Sequence, residues 1–247
     1  MADFHQHRPG ITDSVLARAT DGSSRTPYTW LREALPPQGR ILDLACGSAP
    51  LWPALEGRAY VGVDTSPAEL ALARQRGARP LLLADATAQP LAAASLRAVV
   101  CSMALMLLTP LDKALSEVRR VLAPGGLLIA TVPAVGPLSG RDLLLVAALL
   151  AALGHPPRYP ASPVRDEPAA RWLEQAGLCL ISDDGRRFCF RLASPQDGDL
   201  LLNSLYLPRT SDGARRRARF VLRMAARGHA ELPIPIRRIV ARRPQDG

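Results

Sequence analysis

The residues of this chain that could do chemistry sit at the ends of short apolar runs. Asp43 lies inside ILDL, Ile41 to Leu44; Asp64 closes YVGVD; Asp85 follows PLLLA. Between the first two runs stand Ala45, Cys46, Gly47, Ser48 and Ala49, small side chains that let backbone N–H groups approach a bound molecule closely. Asp64 falls 17 residues after Gly47, about where a doubly wound fold carries a carboxylate for ribose hydroxyls. Carboxylates at successive strand ends are unfavourable unless they hydrogen-bond something. The pattern therefore predicts a nucleotide-like ligand over a sheet edge.

The elements that must position these groups can be read from periodicity. Strands are expected at 40–45, 59–64, 80–84, 96–102 and 127–132, with helices between, so the sheet is parallel and its crevice lies at the strands' carboxyl ends. Val99, Val100 and Cys101 run continuously apolar, as a strand covered on both faces should. Ser66, Pro67 and Glu69 make a capping box that starts one crossover helix. Thr109, Pro110 and Asp112 repeat it before a helix expected to end at Gly125 and Gly126. Upstream, residues 1–27 read as a loosely ordered lead-in with a short helix near 11–19, followed by a helix over 26–35 that brings Tyr28 and Trp30 to the domain's edge. Downstream, helices at about 140–153 and 167–176, a strand-like run at 178–192 and a last strand near 234–241 would complete seven strands with an antiparallel end. Two helical segments, 197–206 and 213–227, fall between those last two strands.

The ordered set resembles the class I S-adenosylmethionine (SAM)-dependent methyltransferases, of the type 11-like, actinobacterial-style small-molecule kind. ILDLACGSAP is similar to the family's motif I, and the resemblance continues through PLLLADATAQPL to EVRRVLAPGGLLIATVP, Glu117 to Pro133, covering roughly residues 28–134. It implies a Rossmann-like α/β fold with a seven-stranded, mostly parallel sheet, helices on both faces and an antiparallel end. It also implies SAM as cofactor and S-adenosylhomocysteine as product. Carried onto this sequence, Asp64 would meet the ribose hydroxyls, Asp85 the adenine amino group, and Ala86 the adenine through its backbone, with Thr65 also against the cofactor. Ala45, Cys46, Gly47, Ser48 and Ala49 would surround the methionine part, with Ser102 and Met103 near the transferred methyl. Asp43 would hold the turn's N–H groups or reach the cofactor's ammonium. The chain departs from the family's G-x-G-x-G turn, keeping only the central glycine between Ala45 and Ala49.

No acceptor is legible. Methyl transfer from a sulfonium is an in-line displacement that needs positioning more than covalent help, so no catalytic residue is assigned. The place after the fourth strand holds Cys101, Ser102, Met103 and Ala104 rather than an N-P-P-Y or D-P-P-Y string, which counts against a base amino-methyltransferase. His5, His7, His155 and His229 are the four histidines available as a general base, with His155 and His229 the better placed. Tyr28, Trp30, Met106 and Tyr206 could line a substrate pocket or could be core.

A length of 247 residues suits one large α/β domain, residues 37–247, behind a helical cap at 1–36 and with a helical insertion at about 195–230. The four cysteines form no C-x-x-C pair, which argues against a zinc site or disulfide framework and for a reducing cytoplasm; no metal is expected. The N-terminus lacks a secretory pattern, and the longest apolar stretch, 11 residues at 143–153, falls short of the ~20 needed to span a bilayer. The net charge of +9 is local: from Arg191 onward there are twelve arginines against five acids. Arg215, Arg219, Arg223 and Arg227 recur every four residues on one helix face, which is either solvated or a surface for an anion. The expected enzyme acts on a small molecule. An RNA methyltransferase gripping phosphate through the basic segment and a SAM-binding protein without turnover are the alternatives.

Overall fold

Ile41, Leu42, Asp43 and Leu44 are buried along their whole length, as suits the first strand, β1 (Ile41–Leu44), an interior strand of the sheet. The computed structural model describes residues 7–156, 162–207 and 210–245. Helices α1 (Ile11–Leu16) and α2 (Pro27–Glu33) precede β1; α3 (Trp52–Leu55) leads to β2 (Tyr60–Asp64), and α4 (Pro67–Gln75) to β3 (Leu81–Leu83). Then come β4 (Leu96–Ser102), a 3-10 turn at Leu105–Leu107, α5 (Leu111–Val121) and β5 (Leu122–Pro133). The rest is α6 (Gly140–Leu153), α7 (Pro163–Asp166), α8 (Ala169–Gln175), β6 (Cys179–Arg191), α9 (Pro195–Ser204), α10 (Asp212–Arg227) and β7 (Glu231–Arg242).

The seven strands run in the order β3-β2-β1-β4-β5-β7-β6. The first five are parallel, and β7 enters antiparallel between β5 and β6. Strand order reverses between β1 and β4, which opens a crevice at their carboxyl ends. Among the described residues, no helix is long and apolar enough to cross a membrane.

Two local expectations are corrected. Pro110, not Thr109, is the N-cap of α5, and no side chain caps that end, because the helix begins one residue later than the sequence device requires. That helix ends at Val121 rather than at the glycines. The Pro-Gly-Gly stretch belongs to β5 because its backbone pairs with the chain's end: Gly125 N–H donates to Arg243 O at 3.0 Å, and Arg243 N–H donates to Gly126 O at 2.9 Å.

Two apolar layers cover the sheet's faces. Trp30 is buried in one of them against Phe188, with ring centroids 5.7 Å apart and the Arg186 and Arg238 guanidiniums over its ring. Met106 is buried in the other. Helix α9 packs on α10 and on α1, while α10 packs along α6. One helical layer thus ties the segment between β6 and β7 to the chain's beginning.

Candidate active site

The turn after β1 is left-handed at three alternate positions: Ala45 has φ 53°, Gly47 φ 53° and Ala49 φ 54°. Only glycine adopts this region without penalty, so both alanines are strained. What holds the turn is the next strand. Cys46 N–H donates to Val63 O at 3.0 Å, and Gly47 N–H donates to Asp64 Oδ2 at 2.8 Å. The other oxygen of Asp64 accepts the Ser66 N–H at 2.8 Å at the start of α4. These two backbone donors orient the Asp64 carboxylate at the mouth of the turn.

Asp43 is buried beneath this turn and accepts a hydrogen bond from the Tyr60 hydroxyl at 3.1 Å. Burial pushes its carboxyl up to about 7; the Tyr60 bond opposes the shift and the Asp64 charge adds to it. Burial, reinforced by the Asp43 charge, likewise raises the Tyr60 phenol and the Cys46 thiol far above their ordinary values. The turn N–H that sequence reasoning offered to Asp43 is taken by Asp64.

A cavity of about 460 Å³ opens over the turn, within the usual range for small-molecule sites of about 300–1,000 Å³. Asp43, Ala45, Cys46, Gly47, Ser48, Asp64, Thr65, Ser102 and Met103 line it, and Tyr28 reaches it from α2, whereas Ala49, expected there too, is buried against Ala73 and Ala78 instead. A smaller hollow of about 180 Å³ beside it is lined by Asp85 and Ala86 and shares Ala45, Asp64, Thr65, Leu107 and Leu108 with the first. Asp85 Oδ1 accepts the Thr87 N–H and hydroxyl, both at 2.7 Å, and these bonds hold its carboxyl below the usual range. Ser102 Oγ lies 3.4 Å from Thr131 Oγ1, and Met103, at φ 56°, donates its N–H to Thr131 O at 2.8 Å.

Other candidates fall elsewhere. Trp30 and Met106 are core residues, and Tyr206 is half-buried outside both hollows. His155 bonds Thr210 through Nε2 at 2.9 Å and Pro156 O through Nδ1 at 2.8 Å, and neither it nor the exposed His7 and His229 lines the cavity. His5 lies outside the described residues. The arginine face of α10 is partly spent within the fold: Arg219 and Arg223 both donate to Asp199 of α9, at 2.8 and 3.1 Å, and Arg215 donates to Leu207 O at 2.9 Å.

Sequence reasoning missed the part of the site built by α1. Asp13 accepts from Ser48 Oγ at 3.1 Å, pairs with Arg76 at the end of α4, and hydrogen-bonds Tyr28. Burial first, and the Asp13 charge second, lift the Tyr28 phenol well above its ordinary value. Glu69 Oε2 accepts the Gly10 N–H at 3.0 Å, while its own N–H is capped by Ser66 Oγ at 3.3 Å. Thr12, Asp13 and Leu16 consequently become cavity wall. The one available signal was the single charged residue, Asp13, in the short helical run ITDSVL.

Residues 42–130 match the family described as "Methyltransferase domain". The chain is similar to a demethylmenaquinone methyltransferase of Thermus thermophilus, 42% identical over 99 residues, which is 36% of this chain and 45% of that protein. It is similar also to a malonyl-[acyl-carrier protein] O-methyltransferase of Alcanivorax borkumensis, 40% identical over 118 residues, 44% of this chain and 39% of that protein. The matched stretch spans less than half the length of either relative. In fold it resembles a SAM-dependent methyltransferase structure from Thermotoga maritima, with TM-score 0.55 and 16% identity over 98% of this chain and all of that one.

Proposed function

We propose that this chain, which carries a class I methyltransferase domain on the class I methyltransferase fold, binds SAM across the two joined hollows and methylates a small organic acceptor. The observation that carries the reading is the position of Asp64 where the hollows meet, oriented by Gly47 N–H and Ser66 N–H. The residues present fit such a group. An acid at the junction suits a ribose diol, the hollow beside Asp85 and Ala86 suits an adenine, and the hollow over Asp43 and the turn suits a methionine chain with its ammonium.

When bound, SAM supplies an electrophilic methyl on a sulfonium. The chain's part is binding and alignment: Asp64 accepts from the ribose, Asp85 from the adenine amino group, and Asp43 compensates the ammonium. Ser102 and Met103 border the space where the methyl meets its acceptor. The burial of Tyr28 and Leu16 on the α1 and α2 side helps exclude water from that space, which strengthens every electrostatic contact within it. The acceptors named for the two relatives, a demethylmenaquinone and a malonyl-[acyl-carrier protein], are organic groups rather than RNA. We extend that substrate class to this chain. Four free thiols fit a reducing compartment, hence a cytoplasmic location. We take residues 37–247 as the methyltransferase unit, 1–36 as its cap and 195–230 as its insertion.

The strained alanines favour a second reading, a SAM-binding protein without turnover. Calorimetric titration of the full chain with SAM and with S-adenosylhomocysteine tests the first step. Mass spectrometry of quinol, phenol and carboxylate acceptors incubated with SAM tests the second. Absence of SAM binding removes the proposal; binding without a methylated product from any acceptor class leaves the second reading.

A further inference from the structure

Beyond Arg141 in its first turn, helix α6 turns no polar side chain outward. Its inward residues, among them Leu149, Ala152 and Leu153, are buried, yet its outward residues are apolar too: Leu143 is 55% exposed, Leu144 75%, and Ala147, Ala148 and Ala151 are all exposed. A helix on the surface of a water-soluble domain ordinarily turns charged or polar residues outward. Beside it, α10 turns outward Phe220 at 66% exposure and Met224 at 45%, interleaved with the exposed Arg216, Arg217, Arg223 and Arg227. Arg216 and Arg217 make no hydrogen bond or ion pair among the described residues, and Arg141 at the start of α6 is exposed as well.

We propose that the outer face of α6 and α10 docks on an anionic lipid bilayer. Leu143, Leu144, Phe220 and Met224 enter the headgroup boundary, and Arg141, Arg216 and Arg217 meet lipid phosphates. Charge selects this occupant. A second copy of the chain seated on the same face would bring those arginines against their own copies, since a two-fold contact pairs a patch with itself. A bilayer offers apolar depth and negative charge together, which is the recognition pattern of helices that lie in the interface. At 14 residues α6 is about 21 Å long, at ~1.5 Å per residue, so it lies on the bilayer and does not span it. The proposal is independent of the chemistry assigned to the cavity.

The test is co-sedimentation of the full chain with phosphatidylglycerol-containing vesicles and with phosphatidylcholine vesicles at physiological salt. The expected affinity is at least about tenfold higher for the anionic vesicles, falling about fivefold for each of Arg216→Gln and Arg217→Gln. It should be lost in Leu144→Asp/Phe220→Asp, with an unchanged thermal transition by circular dichroism. If that pair fails to fold, Leu143→Ser/Leu144→Ser serves in its place. Absence of vesicle binding overturns the proposal, as does binding that the apolar substitutions leave unchanged. It is overturned equally by a dimer in sedimentation velocity that Leu144→Asp dissociates, or by capture of an acidic protein with no affinity for vesicles.

Discussion

Gly47 donates its backbone N–H to Asp64 at 2.8 Å across 17 residues of chain, so the residue proposed to bind ribose is also the residue that shapes the turn below it. Asp64→Ala should therefore lose ligand contacts and the turn's support together. The expected loss of SAM affinity is on the order of 3 kcal/mol or more, at least about a hundredfold. Asp64→Asn keeps one acceptor oxygen and should lose less. Calorimetric titration of both variants checks this, and unchanged binding in Asp64→Ala would sink the assignment.

Ala45 and Ala49 occupy left-handed backbone that glycine enters at no steric cost. Relief of about 1–2 kcal/mol of strain per residue is partly offset by the ~0.4–1 kcal/mol that glycine's freedom adds to the unfolded chain. Ala49→Gly should raise the melting temperature by a few degrees at most, since about 1 kcal/mol corresponds to ~2–4 °C at this size. SAM affinity should stay within about threefold of the parent. Binding that appears only in Ala49→Gly would instead mean that the alanine turn had disabled the site.

Asp43 sets one limb of the pH profile. Its folded carboxyl titrates near 7, above the unfolded value near 4. The folded state therefore holds a proton that the unfolded state has released between those limits. The resulting stabilisation is fully present below about pH 4 and is lost as pH rises through about 7, an effect on the order of a few kcal/mol. Urea unfolding at pH 5 and pH 8 should show the decline, and Asp43→Asn should flatten it. If Asp43 faces the cofactor's ammonium, SAM affinity should rise over the same interval in the parent and stay level in the variant.

Asp142 acts in the opposite sense. Both its oxygens accept from Arg187 at 2.6 Å, and this bonding holds its carboxyl far below the usual range despite burial. Its contribution is present above the ordinary carboxylate range and is lost as pH falls through the depressed value. Arg187→Ala leaves a buried carboxylate with only its Ser139 partner and should cost about 2–4 kcal/mol, the lower part of that range because the guanidinium is partly solvated. Chemical denaturation at pH 7 measures it, and a change below about 0.5 kcal/mol would refute the pair's role.

Affinity for RNA should be weak and vanish at moderate salt, because Arg215, Arg219 and Arg223 are held by Leu207 O and Asp199. A log-log salt slope near −0.7 per phosphate on single strands would count the phosphates engaged. Nanomolar binding of total RNA at physiological salt, abolished by reversing those three arginines to glutamate, would overturn the small-molecule reading.

Most of the sheet was legible from the chain because its signals are local. Runs such as Tyr60–Asp64 and Leu96–Ser102 are apolar for a strand's length, and the Ser66-Pro67 start is self-contained. The acids at strand ends were visible for the same reason, since a carboxylate beside an apolar run is conspicuous wherever it falls. Local reading failed where the competing partner was distant. The glycines at 125 and 126 looked like a helix stop, but the remote Arg243, just past the end of β7, draws them into the sheet.

The order of strands and helices, the small-residue turn and the three carboxylates that surround the crevice were determined by the sequence itself, through periodicity and turn chemistry acting over a few residues. Tertiary structure alone decided which acid supports the turn, that Trp30 and Met106 are core, and that Asp13 and Glu69 bring the N-terminal helix onto the site. It also decided that Arg219 and Arg223 spend their charge on Asp199 while Leu144 and Phe220 are left outward. Each of these is a contact between groups far apart in the chain. A pattern read along one strand or helix states which face must be buried, and the packing of that face on others determines what it meets.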